Sequence, residues 1–311
     1  MLRPSVNHYA LWREDTSEDE QFKMLADAGF HCVDFNFDVY LPSNLISNCE
    51  LNDFYFQDTK KLKEFFKPYK DAAEKYGVDI IQSHAPYQLY VDGRDDVNEK
   101  CYEVVIKCLE LCRYLNCKYL VVHPLNLSFA HGREYERKGN FEYYERFIPY
   151  IMKYGVMICL ENMFGTVTRH VTEAVCSDFT EAANYIDVLN EKAGEECFGF
   201  CFDLGHATLL GKNIRESIKT LGQRTKILHL HDNDGIQDSH AIPYSYARNW
   251  GQHCVTDWNG LFDGLADIGY QGDLNFEVGS GLTLIPRELK SAALRYLCAT
   301  GEYFAKMIRE R

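Results

Sequence analysis

Histidines, aspartates and glutamates recur at one kind of place in this sequence, the end of a short apolar run. His84 closes Ile-Ile-Gln-Ser-His, His123 follows Leu-Val-Val, and Glu161 closes Met-Ile-Cys-Leu-Glu. Asp203 closes Phe-Gly-Phe-Cys-Phe-Asp with His206 three residues on, His229 and His231 alternate with leucine in Ile-Leu-His-Leu-His, and Glu277 closes Leu-Asn-Phe-Glu. Strand side chains alternate faces, so Met157, Cys159 and Glu161 share one face, as do Gly199, Cys201 and Asp203, and Ile227, His229 and His231. A single inward histidine is ordinarily a hydrogen-bonded core group; six strand ends in succession carry a stronger message. Carboxylates there are costly to bury unpaired, and no Lys or Arg stands at a matching position to neutralise them. A divalent cation supplies the missing charge. Two Glu, one Asp and one His make an oxygen-rich set suited to Mn2+, Co2+ or Mg2+, and added imidazoles shift the preference toward Zn2+.

Those residues need elements that deliver them to one place. Short β-branched or apolar runs alternate with longer amphipathic stretches along the whole chain, the pattern of repeated βα units. The expected strands are 6–11, 32–37, 79–84, 119–123, 156–161, 198–203, 227–231 and 273–278. The expected helices are 17–28, 59–76, 95–115, 140–154, 178–192, 213–221, 258–268 and 286–308. Glycine follows the last apolar turn at Gly29, Gly77, Gly222 and Gly269, and Asp58, Ser177 and Asp257 stand where N-caps belong. Eight units in 311 residues come to about 39 residues each, the size of a parallel (β/α)8 TIM barrel with some long loops. No Pro/Gly/Ser-rich linker interrupts the pattern. Residues 1–311 are therefore expected to form a single domain, its barrel core over about 6–278 and a C-terminal helix over 286–308. An open doubly wound sheet has the same alternation, but it gathers its site at one switch point. A barrel gathers residues from every strand at its C-terminal face, which is where this chain keeps its ionisable groups.

The formal net charge is −13, from 33 Lys plus Arg against 46 Asp plus Glu, which repels phosphate backbones and weighs against general nucleic-acid binding. No run approaches the ~18 apolar residues of a membrane span. Charges at Arg13, Glu14 and Asp15 follow closely on Met1, so a cytoplasmic protein with no membrane partner is expected. Twelve cysteines in so long a chain read as reduced, mostly buried thiols. The Cys108/Cys112 and Cys197/Cys201 pairs have CxxxC spacing but fit a helical core and a strand start.

Taken as a set, Ser83-His84-Ala85-Pro86-Tyr87, Val122-His123-Pro124, Leu160-Glu161-Asn162, Phe202-Asp203-Leu204-Gly205-His206, Leu228-His229-Leu230-His231-Asp232-Asn233 and Phe276-Glu277 resemble the xylose isomerase-like TIM barrels. That superfamily holds sugar-phosphate isomerases and epimerases, ketose 3-epimerases, inosose-handling enzymes and endonuclease IV. The ketose-epimerase pattern implies that Glu161, Asp203, His231 and Glu277 bind one divalent metal and that His206 holds the substrate. It further implies that Glu161 and Glu277 exchange a proton with the carbon beside a carbonyl, through an enediolate that the metal stabilises. The activity so implied is isomerisation or epimerisation of a sugar, sugar phosphate or related polyol, in carbohydrate metabolism. His84 and His123 would line the pocket. Trp12 and Arg13 after strand one, Asp38 after strand two, and Arg169 with His170 after strand five fall on the side for substrate contact. The resemblance weakens over 244–255, a longer segment holding Tyr244, Tyr246, Arg248, Trp250 and His253; it suits a lid, with Arg248 clamping a phosphate or carboxylate. Barrels of this kind imply a homodimer or homotetramer. The endonuclease IV pattern instead matches His84, His123, Glu161, Asp203, His206, His229 and Glu277, with Asp238 and His240, and implies a three-zinc phosphodiesterase acting on abasic DNA. A third reading uses the same metal and base in a lyase that deprotonates a keto-glycoside and expels its aglycone.

Overall fold

The computed structural model describes residues 2–11, 16–127, 131–248 and 251–311. Its framework is a set of parallel strands in chain order: β1 Pro4–Val6, β2 Cys32–Asn36, β3 Asp79–His84, β4 Tyr119–Val121, β5 Met157–Glu161, β6 Phe198–Asp203, β7 Thr225–His229 and β8 Leu274–Phe276. Strands β2 to β7 form one six-stranded sheet in which every neighbour is parallel, and β1 pairs with β8, also in parallel. Parallel bridges from Asn7 to Asp34 and from Leu230 to Phe276 tie the two at their edges. The fold is α/β, built on a curled parallel sheet with helices between its strands.

These strands are near-continuous apolar runs because both of their faces are covered. All five residues of β2 and all six of β6 are buried. Alternation sorts their side chains. Phe198, Phe200 and Phe202 join the large core shared with the helices, while Val121, Cys159, Cys201 and Ile227 form a separate small cluster on the other face. That cluster is a dry plug. One step further along the same face of β5, β6 and β7 stand Glu161, Asp203 and His229. Space at the plug is tight, since a Cβ on Gly199 would come within 2.4 Å of Lys226 Cγ and 2.9 Å of Met157 Sδ.

Several boundaries differ from expectation, each for a local reason. Strand one ends at Val6 and turns into a 3-10 helix, His8–Ala10. There His8 accepts the Asn36 backbone N–H at 2.9 Å and stacks on Phe35 at 4.1 Å. The helix expected over 140–154 is two, Arg133–Glu145 and Ile148–Tyr154, the second beginning around Pro149, whose missing N–H suits a first turn. Asp178 rather than Ser177 caps the helix Phe179–Ala193; the Ser177 hydroxyl donates to the Ala174 carbonyl at 2.6 Å. Asp58 and Asp257 cap their helices. Two antiparallel hairpins, Phe164–Val167 with His170–Glu173 and Ala247–Arg248 with His253–Cys254, follow β5 and β7. The chain closes with the helix Arg287–Arg309. Among the described residues no helix is long and apolar enough to cross a membrane. The cysteines are free thiols, all buried except the partly covered Cys49 and Cys254.

Candidate active site

Above the dry plug lies a cavity of about 700 Å³ whose walls include His84, His123, Glu161, His206, Asp238 and Glu277. At its centre is Glu161. Its Oε1 lies 3.1 Å from His229 Nδ1, and its Oε2 lies 3.0 Å from His123 Nε2 and 3.7 Å from His84 Nε2. The same His229 Nδ1 is 3.3 Å from Glu277 Oε2 and 3.9 Å from Asp203 Oδ2. Glu161, Asp203, His229 and Glu277 thus present ligand atoms within 4.8 Å of one another, and His84, His123 and Glu161 form an adjoining group by the same measure. A further group joins His206, His231, Asp238 and His240. Asp238 receives His240 Nε2 at 2.9 Å and faces His206 Nε2 at 3.5 Å. His231 stacks on His240 at 4.2 Å and points Nε2 at Asp203 Oδ1, 3.3 Å away. Gly205 makes that position possible: a Cβ there would sit 1.8 Å from His231 Cε1.

Three of the imidazoles are anchored by the backbone. His84 donates from Nδ1 to the Ala85 carbonyl at 2.6 Å, His206 to the Asn162 carbonyl at 2.8 Å, and His240 to the Glu277 carbonyl at 2.9 Å. Each anchor fixes the ring with Nε2 turned toward the cavity and its carboxylates, where that nitrogen can carry a proton or, once deprotonated, take a metal ion. Buried Glu161 Oε2, Asp203 Oδ2 and Asp238 Oδ1 accept no hydrogen bond.

Electrostatics tell the same story. Burial opposes the charge on Glu161, yet His229 and His123 hold its carboxyl well below the usual range. Asp203 is likewise held low against burial by His206 and His231, and Asp238 by hydrogen bonds from His206 and His240. Burial also opposes the charged imidazoles, but Glu161 raises His84 to about 9, and Glu277 with Asp238 raises His240 to about 10. Against burial, Asp203 and Asp238 raise His206, and Cys201 with Glu277 and Glu161 raises His229, well above the imidazole range, whereas burial keeps His123 low. The carboxylates demand positive charge, and protons on histidine supply it where a cation could. The residues present therefore fit a divalent cation.

The expected residues are distributed as follows. Glu161, Asp203 and Glu277 converge, but the histidine among them is His229; His231 lies two residues further along, with Asp238 and His240. His84, His123 and His206 all line the cavity, and so does Asp38, which burial pushes upward in pKa. Arg248 stands exposed in its hairpin beside Gly235 and is not part of the cavity wall. Arg169 and His170 are exposed at the turn of the other hairpin. Trp12, Arg13 and Trp250 lie outside the described residues. One functional neighbour had no counterpart in the sequence reading. Buried Asp34 accepts from Asn275 Nδ2 at 3.0 Å, faces His229 Nε2 at 3.7 Å and is pushed up to about 6 by burial. The signal was an aspartate in the middle of the apolar run Cys-Val-Asp-Phe-Asn.

Known proteins share this architecture. The chain is 26% identical over 244 residues to the inosose isomerase of Bacillus velezensis, across 74% of this chain and 80% of that protein. It is 25% identical over 196 residues to the "Probable endonuclease 4" of Mycoplasmopsis synoviae, across 59% of this chain and 66% of that protein. A solved D-tagatose 3-epimerase-like protein superposes with a TM-score of 0.68 at 18% identity, covering 99% of this chain and 98% of that one. The family model for the xylose isomerase-like TIM barrel matches residues 22–299, and the chain belongs to that family.

Proposed function

We propose that this protein is a divalent-metal-dependent isomerase or epimerase of a sugar or related polyol. The observation that carries the reading is the convergence of Glu161 and Glu277 on one imidazole nitrogen, at 3.1 and 3.3 Å, at the edge of a polar cavity. Two carboxylates so placed can take a proton from a carbon beside a carbonyl and return it. Glu161, Asp203, His229 and Glu277 would hold the cation, which when bound polarises the substrate's carbonyl and hydroxyl oxygens. His206, fixed through Asn162, and His84 and His123 would orient hydroxyl groups through their Nε2 atoms. Among the described residues the cavity wall contains no Lys or Arg, which favours an unphosphorylated substrate. The reading takes residues 1–311 as one domain and the eight parallel strands as a closed (β/α)8 barrel, with the site at their carboxyl ends. The isomerase and epimerase names among the similar proteins agree with it.

A second reading, a multi-zinc phosphodiesterase, is favoured by one feature: of the four candidate ligand groups among the described residues, three share Glu161. Metal stoichiometry and a substrate screen separate the two. Elemental mass spectrometry of the purified protein should find a single Mn2+, Co2+ or similar ion, and a panel of ketoses and inososes should reveal turnover that Glu161→Gln abolishes. Several tightly held zinc ions together with cleavage of an abasic duplex would replace the first reading by the second. Turnover intact in Glu161→Gln would overturn the proposed mechanism.

A further inference from the structure

We propose that the helix Arg287–Arg309 is the seam of a two-fold dimer, packing antiparallel against the same helix of a second copy. Its inner face is buried in the fold through Leu294, Leu297, Gly301, Phe304 and Ile308. Its outer face does not turn fully polar. Leu289, Tyr296 and Tyr303, spaced seven apart, are 57%, 44% and 47% exposed. Ala292, Ala299 and Lys306 are exposed between and beyond them, giving alternating steps of three and four residues. That spacing is the a/d seam of a helix that pairs with another helix.

Charge decides the occupant and its direction. Glu288, Arg295, Glu302 and Arg309 flank the stripe at steps of seven and alternate in sign. Among the described residues none of the four has an ion-pair partner within the chain, whereas neighbouring Lys306 pairs with Glu310 at 3.8 Å. In an antiparallel pair that sets Tyr296 of one copy on Ala299 of the other, position 288 faces 309 and 295 faces 302. Every facing pair is then of opposite sign, and the two-fold axis repeats each of them. A parallel pair would leave the same charges facing Ala293, Thr300 and Met307. Large and small residues also interleave in the antiparallel register, Tyr296 over Ala299 and Tyr303 over Ala292. A second copy of this chain is the partner these features fit.

The seam touches the catalytic side of the molecule. The Tyr296 hydroxyl donates to the Pro243 carbonyl at 3.1 Å, three residues beyond His240, so pairing would brace the segment that carries that imidazole. One helix is a small interface, so association should depend on concentration and weaken with salt.

Sedimentation velocity on the full chain over a range of concentrations and salt tests this. The wild type should pass from monomer to dimer as concentration rises. R295E and E302R, which set like charges face to face, should each weaken the dimer by about tenfold or more, and the double variant R295E/E302R should recover it. Tyr296→Lys should be monomeric with an unchanged far-UV circular dichroism spectrum. A monomer at every concentration would overturn the proposal, as would a dimer whose strength none of these substitutions alters.

Discussion

The histidines at 229 and 231 meet different sets of carboxylates, and that difference is open to experiment. His229 Nδ1 faces Glu161 and Glu277, while His231 faces Asp203 and Asp238. His229→Asn should therefore weaken divalent-cation binding by more than about tenfold, with a smaller loss in His231→Asn. Competition titration with a metal-sensitive dye reads both, and the reverse order would return the ligand role to His231. His8 offers a test of a different kind. Burial holds its imidazole down to about 3, and its Nδ1 accepts from Asn36, so the folded protein keeps it neutral. In the unfolded chain it takes up a proton near 6.5. Between those values the unfolded state binds more protons, so stability falls as pH drops through the window, by at most ~1.4 kcal/mol per pH unit. Urea unfolding at stepped pH should show a shallower acid slope for His8→Gln.

Elements set the reach of each residue, and here the sequence was informative unevenly. Strand β3, β6 and the helix Thr59–Tyr76 are where the apolar periods place them. Buried parallel strands leave an unbroken apolar signature, and capping residues mark helix ends. The hairpins after β5 and β7 and the short helix Leu204–Leu209 were invisible. They are too short to show a period, and tertiary contacts rather than propensity hold them. The same limit explains the site. Strand alternation could put His229 and His231 on one face but could not say which lies nearer Glu161; the registers, with Glu161 opposite Cys201, Cys201 opposite Ile227 and Asp203 opposite His229, set His229 two residues beyond the level of Glu161 and His231 four. Asp34 escaped notice because one aspartate in a strand carries no spacing. Local signals are stronger at the first long helix, where Ser17 and Glu20 cap each other reciprocally. Ser17→Ala should cost about 1 kcal/mol in equilibrium unfolding while leaving metal binding unchanged.

For the molecule as a whole, a cluster of buried carboxylates is a debt of charge that folding must settle. With a cation present at about 100 times its Kd, binding adds about 2.7 kcal/mol to stability. Dialysis against a chelator should therefore lower Tm, and Mn2+ or Zn2+ should restore it; a Tm indifferent to chelation would show that protonated histidines alone balance the site. The plug beneath the site has a different consequence. Cys159 and Cys201 sit within it, and only Cys49 and Cys254 of the cysteines are even partly covered rather than buried. A thiol reagent added to the native protein should find those two at once and reach the other ten only when the fold opens. The chain thus carries its own clock: the slow phase of labelling times the breathing of the scaffold, with no probe attached.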